Sequence, residues 1–373
     1  MADKKKILFF HFDLKGGGAE RVLINLLKHL DLNKYDVTLK TIFGAGPHVK
    51  NVPKGIKFSY FFRYEFRGFN KIMKLFPAKF WHRLFVKDDY DIEIGYLETS
   101  PTRIVAACPN DKTKKIGWIH TEVKNRTRPF RGFHDEDEMI DAYNRLDELV
   151  FVAHRARSSF RKLYPEIKIP MRVLHNVNDY ERIYELAKEP MPLELSEGKL
   201  NLCAVNKLHK IKGFHRLVDA CAKLKLDKLM DNVKIYILGK GHEYFSLKLS
   251  IEQAGLSDNI KLLGFDPNPY RYLSKMDLFV CTSYHEGYST AVTESVALGV
   301  PVFTTDCSGM EEILEGGKYG MIVPNDDESI YEGLKDLLTH REKIKQYAQA
   351  ISEAPRMTTQ SLVDEYEKFF DSL

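Results

Sequence analysis

The 373-residue chain lacks any apolar run approaching the roughly 18 residues needed to cross a bilayer, so it reads as a soluble or surface-bound protein. Its start, "MADKKKILFFHF", is basic. The apolar run there is short, ends at His11 and Asp13 and has no small-residue cleavage site after it, so it reads as a first strand and not a leader. The five cysteines (Cys108, Cys203, Cys221, Cys281 and Cys307) include no C-x-x-C pair and sit mostly in apolar surroundings. They are the pattern of reduced core residues in a cytosolic protein. A dominant charge is also missing: 56 Lys and Arg face 52 Asp and Glu, and a net charge of +4 argues against nucleic acid as a partner. No G-x-x-x-x-G-K-[ST] occurs, which excludes a P-loop nucleotidase, and there is no short-period repeat or low-complexity tract.

What is present is alternation. The length exceeds what one core usually serves, so two domains are expected. In the first half, "KILFFHF", "DVTLKTIF", "DIEIGYL", "KIGWIH", "ELVFVA" and "RVLHN" read as buried strands of a largely parallel sheet, separated by stretches of helical period such as "AERVLINLLKHL". The polar stretch "DYERIYELAKEPMPLELSEGK", residues 179–199, interrupts the pattern and reads as a linker between a domain at 1–178 and one at 200–355. The alternation resumes with "LNLCAVNK", "KIYILGK", "IKLLGF", "LFVCTS", "PVFTTD" and "YGMIVP". Two doubly wound α/β halves follow, with ligands expected at the C-terminal ends of their strands in a cleft between them.

The loops after these strands carry the chemistry. "DLKGGGAER" opens a helix after the first strand, and its glycines let backbone N–H groups approach an anion. Gly16, Gly17 and Gly18 do not complete G-x-G-x-x-G, because Arg21 takes the last position, and the second strand ends without a ribose-binding acid; a nicotinamide dehydrogenase is disfavoured. The residues alone leave a tight turn and a ligand contact equally open. "VNKLHKIKGFHRL" places Lys207 and Lys212 in one strand-to-helix loop, where two ammonium groups suit a diphosphate and equally suit solvent. Gly239 and Gly241 mark another glycine turn after a strand. "LFVCTSYHEGYSTAVTESVALGVP" gives a strand, a loop with Glu286 and Gly287, and a helix starting near Ser289 or Thr290 that Gly299 and Pro301 end. Glu294, one turn into that helix, is either an ordinary exposed helical acid or a carboxylate that accepts paired hydrogen bonds from a cis-diol such as a ribose.

Taken together, E-x7-E from Glu286 to Glu294 with "ALGVPVFTTDCSGMEEIL", "KLHKIKGF", "YILGKGHEY", "LLGFDPNPYRYLSKMDLFVCTS" and, more loosely, "GGGAERV", "WIHTE" and "LHNVND" resemble the retaining glycosyltransferases of family 4, along nearly the whole chain and in order. The resemblance implies a GT-B fold: two Rossmann-like doubly wound domains facing a central cleft, the first holding the acceptor and the second the nucleotide sugar. It implies a C-terminal helix, residues 356–373, that crosses back onto the first domain. Glu294 would hold the ribose hydroxyls and Glu286 the donor sugar. Lys207 and Lys212 would neutralise the diphosphate, helped by amides along Gly287, Tyr288, Ser289 and Thr290. Gly17 and Gly18 would approach the phosphate or acceptor, and His120, at a strand end, the anomeric carbon. Where the family usually has Gly-Arg-Leu, this chain has Asn206-Lys207-Leu208, which keeps the charge and loses the bidentate fork.

The implied reaction moves a sugar from a nucleotide diphosphate, uridine by family frequency, to an acceptor hydroxyl with retention, the leaving phosphate helping to deprotonate the nucleophile. The alternatives are a non-catalytic nucleotide-sugar or protein-binding scaffold of the same fold, and a same-fold epimerase or phosphorylase. The D-x-D stretches Asp89-Tyr90-Asp91 and Asp135-Glu136-Asp137 lie in the first half and read as chance, so no essential metal or other cofactor is expected. "FFRYEFRGFNKIMKLFPAKFWHRLFVK", residues 61–87, carries seven Lys or Arg, one Glu and nine aromatics. It reads either as a surface for an anionic membrane, in keeping with the lipid-linked acceptors of many relatives at the cytoplasmic membrane face, or as a core-packing helix pair with a basic outer side. "HTEVKNRTRPFRGFHDEDE", residues 120–138, reads as a mobile loop on the acceptor side.

Overall fold

The computed structural model describes residues 4–126 and 132–373. The centre of the 120–138 stretch therefore lies outside the described residues; its end forms the helix Glu136–Asn144, capped by Asp135 through the Glu138 N–H. The chain folds as two compact units, Met1–Asn178 with Thr359–Leu373, and Asp179–Thr358.

The first unit is built on seven parallel strands: β1 (Lys5–His11), β2 (Tyr35–Phe43), β3 (Lys57–Phe62), β4 (Ile92–Gly95), β5 (Lys114–Ile119), β6 (Glu148–Phe151) and β7 (Met171–Val173). Their order is β3-β2-β1-β4-β5-β6-β7. Ile7 pairs with Val37 on one side and Ile92 on the other, so β1 is central and its run "ILFF" is wholly buried, as helices on both faces of a parallel sheet require. The chain winds outward from β1 to β3 and then returns to β4 on the other side of β1. That reversal leaves a crevice at the exits of β1 and β4. The C-terminal helix Thr359–Ser372 belongs to this unit: Tyr366 stacks on Trp118 at 5.5 Å and Phe370 meets Phe9 and Tyr35 edge-on.

The second unit has six strands: β8 (Leu200–Val205), β9 (Val233–Leu238), β10 (Ile260–Gly264), β11 (Leu278–Cys281), β12 (Val302–Thr305) and β13 (Gly320–Val323), in the order β10-β9-β8-β11-β12-β13. Strand alternation sends Leu202 and Cys203 to opposite faces, and a separate apolar cluster covers each. The same reversal recurs here between β8 and β11. Residues 179–199 carry a helix, Tyr180–Ala187, capped by Asp179, and it is tied into the second unit where Asn268 donates to the Leu186 carbonyl at 2.8 Å.

β3 is a strand that the sequence reading did not anticipate. It lies at the edge of its sheet with most side chains exposed, so it shows neither the buried run of its neighbours nor a clean alternation. Downstream, residues 61–87 form the helices Phe69–Leu75 and Ala78–Phe85. Phe69, Met73, Trp81 and Phe85 are core residues, and the Trp81 indole N–H donates to the Met73 carbonyl at 3.0 Å. Phe61, Tyr64, Phe66, Phe76 and Phe80 stay exposed, together with Ile72, Leu75 and Leu84. The segment thus packs on the core through one set of side chains and leaves another set exposed. Cys203, Cys221, Cys281 and Cys307 are buried, Cys108 is partly so, and all five are free thiols.

Candidate active site

The exits of β8 and β11 flank the reversal of the second sheet, and the sequence puts its most informative residues on these two loops. After β8 the chain runs through a 3-10 turn at Lys210–Lys212 to Gly213, which begins the helix Phe214–Leu226 with φ of 68°. A Cβ at Gly213 would lie 2.0 Å from the Thr282 carbonyl oxygen, so only glycine allows this loop to approach the exit of β11. Thr282 Oγ1 donates to the Gly213 carbonyl at 2.9 Å, and the Tyr284 N–H to the Ile211 carbonyl at 2.9 Å. The approach brings Lys212 and Glu286 together: Nζ is 2.8 Å from Oε1 and 2.9 Å from Oε2. Ser283 Oγ donates to Oε1 at 2.7 Å from within the core. The β9 exit closes the other flank, where a Cβ on Gly239 would lie 1.8 Å from the Asn206 carbonyl oxygen.

The β11 loop then turns through Gly287 and Tyr288 into the helix Thr290–Ala297, capped by Ser289, whose Oγ accepts from the Val292 N–H at 3.4 Å. The free N–H groups of this first turn form a positive helix end close in sequence to Glu286. Glu294 is 3% exposed and accepts a hydrogen bond from the Tyr270 hydroxyl at 3.3 Å, which rules out the exposed helical acid. Lys207 occupies the same loop as Lys212, is exposed, and does not share the Glu286 pairing.

Three residues that sequence reading missed hold this arrangement. Arg216 is 2% exposed; it donates to the Thr282 carbonyl at 3.3 Å, Asn325 Oδ1 at 2.7 Å and Asp327 Oδ1 at 2.6 Å, and lies 4.3 Å over the Tyr284 ring. Ser283 fixes the Glu286 carboxylate, and Tyr270 fixes that of Glu294. No local signal distinguishes Arg216 in "FHRLVDA" from a surface arginine; the tyrosine and serine sit in the quoted motifs without a pattern of their own.

In the first unit the named residues follow β1 and β5, the two strands that flank β4. Gly17, in extended conformation, precedes the helix Gly18–His29 after β1, and a side chain at Gly18 would meet open space. His120 follows β5 and packs on Tyr96, with ring centroids 4.8 Å apart, and Tyr96 follows β4. Its backbone N–H donates to Glu98 Oε2 at 3.3 Å. Burial, reinforced by the neighbouring His11, pulls the His120 imidazole down to about 3, so it is neutral at physiological pH. Its Nε2 is buried without a hydrogen-bond partner among the described residues. Burial also raises the Glu98 carboxyl. In the two D-x-D stretches, Asp91 accepts from the Lys6 N–H at 2.7 Å and Asp135 caps a helix.

Residues 187–355 match the family described as glycosyl transferases group 1. Over 353 residues, 92% of this chain and 93% of the relative, the sequence is 34% identical to the N-acetylgalactosamine-N,N'-diacetylbacillosaminyl-diphospho-undecaprenol 4-alpha-N-acetylgalactosaminyltransferase of Campylobacter jejuni. The chain belongs to the group 1 glycosyltransferases. Its fold is that of the GT-B glycosyltransferases: a glycosyltransferase from Rickettsia africae superposes with a TM-score of 0.75 at 16% identity, over 99% of this chain and 98% of that one. Anabaena Alr3699/HepE in complex with UDP and glucose gives a TM-score of 0.72 at 18% identity, over 99% of this chain and all of that one. Membership implies a nucleotide-sugar donor and a glycan or lipid-linked acceptor for this chain. None of its described helices is long and apolar enough to cross a membrane.

Proposed function

We propose that this glycosyltransferase is a metal-independent, retaining hexosyltransferase that takes its sugar from a uridine diphosphate donor and delivers it to the hydroxyl of a lipid-linked glycan at the cytoplasmic membrane face. The observation that carries the reading is the Lys212–Glu286 pair, 2.8 Å apart at the β8/β11 reversal, with the buried Glu294 on the helix that follows. Lys212 supplies a fixed positive charge for the diphosphate, and the N–H groups of Gly287 to Thr290 supply dipoles for the same oxygens. As the donor enters, its phosphate replaces Glu286 on Lys212 and frees that carboxylate for the sugar hydroxyls. Glu294 accepts the two ribose hydroxyls. Lys207 adds charge at the mouth of the loop, and Gly17, Gly18 and neutral His120 position the acceptor. Charge leaving with the diphosphate is stabilised by the two lysines and the helix end, which is the role a divalent ion takes elsewhere. The C. jejuni relative, named for an undecaprenol-linked substrate, supports a lipid-linked acceptor, as the UDP complex of HepE supports the base.

The test is transfer by the full-length protein from UDP-sugars to a polyprenyl-diphosphate-linked glycan in EDTA, with the product's anomeric configuration read by NMR. The expected result is EDTA-resistant transfer with retention, lowered roughly 100- to 1,000-fold in Lys212→Met. Neither transfer nor donor hydrolysis with any nucleotide sugar would favour the scaffold instead, and an inverted product would end the retaining assignment.

A further inference from the structure

The cluster that sugar transfer leaves unused lies toward the entry end of the first sheet, away from the exits of β1 and β4. Glu93, inside the apolar strand "IEIG", is 2% exposed. Its Oε2 is 2.9 Å from Nε2 of His82, itself 5% exposed, and its Oε1 is 3.4 Å from Sγ of Cys108. One ligand atom from each of the three residues lies within 4.8 Å of the others. We propose that His82, Glu93 and Cys108 bind a zinc-class divalent cation, independently of the donor and acceptor sites.

Bonds of about 2.0–2.3 Å in a tetrahedron place ligand atoms roughly 3.3–3.7 Å apart, so small rotamer shifts admit an ion between these three. Imidazole, thiolate and carboxylate together suit zinc better than magnesium or calcium, which take oxygen sets. The ligands come from the helix Ala78–Phe85, from β4 and from the turn after the helix Ser100–Val105, so the site is assembled by the fold and not by a sequence motif. A cavity of about 340 Å³ opens beside it, lined by the same three residues and by Asp88 and Asp89. It gives an entry path and room for a water as fourth ligand. Arg83 and Lys87 line it too, and the acids offset them once the thiol proton leaves to solvent on binding. Hydrogen bonds among the three groups satisfy the carboxylate without an ion, so the fold does not depend on the metal. The ion instead ties the helix bearing the exposed Phe80 and Leu84 to the central sheet.

The experiment is cobalt titration of the full-length, reduced, EDTA-stripped protein, followed by zinc. The expected result is about one equivalent of cobalt with a near-ultraviolet thiolate-to-cobalt charge-transfer band, displaced by zinc and absent in Cys108→Ser. His82→Gln should weaken cobalt binding at least about tenfold. Since the other four cysteines lie in the second unit and are buried, a thiolate band reports on Cys108. A measurement without any variant accompanies it: zinc should slow iodoacetamide labelling of Cys108, mapped by mass spectrometry. No thiolate band in the wild type, a band that survives Cys108→Ser, or labelling unchanged by zinc would each overturn the proposal. Transfer activity in EDTA is unaffected by either result, so the two readings fail separately.

Discussion

His120, proposed above to position the acceptor, carries no charge at neutral pH because burial holds it down to about 3. In the proposed acceptor role, a neutral imidazole whose Nε2 has no partner among the described residues offers one lone pair to the incoming hydroxyl and adds no positive charge there. The depression has a sign that stability measurements read. In the unfolded chain the imidazole titrates near 6.5, so between 6.5 and 3 the unfolded state binds the extra proton. The native state is therefore fully favoured above pH 6.5 and loses ground as the pH falls toward 3. Comparing wild type with His120→Asn by chemical unfolding, the wild type should lose on the order of 1–2 kcal/mol more between pH 7 and pH 5. Equal losses would place His120 in solvent. Glu294 carries the companion lesson: its position in E-x7-E was legible in the sequence, whereas its burial and its Tyr270 partner, 24 positions upstream, were not.

Elements carry the second level. The strands of both sheets were readable wherever a short apolar run marks them, which covers β1, β2 and β4–β7 in the first unit and all six in the second, including the only partly buried edge strands β7 and β10. β3 escaped because an edge strand with exposed side chains has no such run. The strand-exit loops were readable through their glycines and the E-x7-E spacing, but the clamp that sets their relative positions was not, since Arg216 acts on residues 66 to 111 positions away. Arg216→Met keeps the stem and deletes the donors. It should destabilise the protein by about 1–3 kcal/mol, by leaving the Thr282 carbonyl unpaired, and should weaken nucleotide binding through the displaced Glu286 loop. Asp327→Asn, at a side chain 70% exposed, should cost well under 1 kcal/mol. Thermal melting of the two variants decides it; equal effects would mean that Arg216 contributes only a surface ion pair.

At the scale of the whole molecule, the two units repeat one plan of strand order, which reverses between β1 and β4 in the first and between β8 and β11 in the second. The exposed aromatics between Phe61 and Phe80 stand outside that plan, amid Lys and Arg residues. As the proposed contact with anionic lipid, this segment should bring the protein down with phosphatidylglycerol vesicles and not with phosphatidylcholine, and the binding should weaken as salt rises. Phe76→Ser with Phe80→Ser should abolish the sedimentation without changing donor binding; sedimentation unchanged by the pair would confine the segment to packing.

In the proposed donor site the buried Glu294 holds the ribose of a nucleotide donor without a metal. That role is tested most directly by the thermal stabilisation that UDP, GDP and ADP give to wild type and Glu294→Ala, both in EDTA. A nucleotide at about 100 times its dissociation constant stabilises by roughly 2.7 kcal/mol. UDP should produce such a shift in the wild type and none in Glu294→Ala. A UDP shift of equal size in both proteins would contradict the ribose role, and no shift with any of the three nucleotides would contradict the donor site itself.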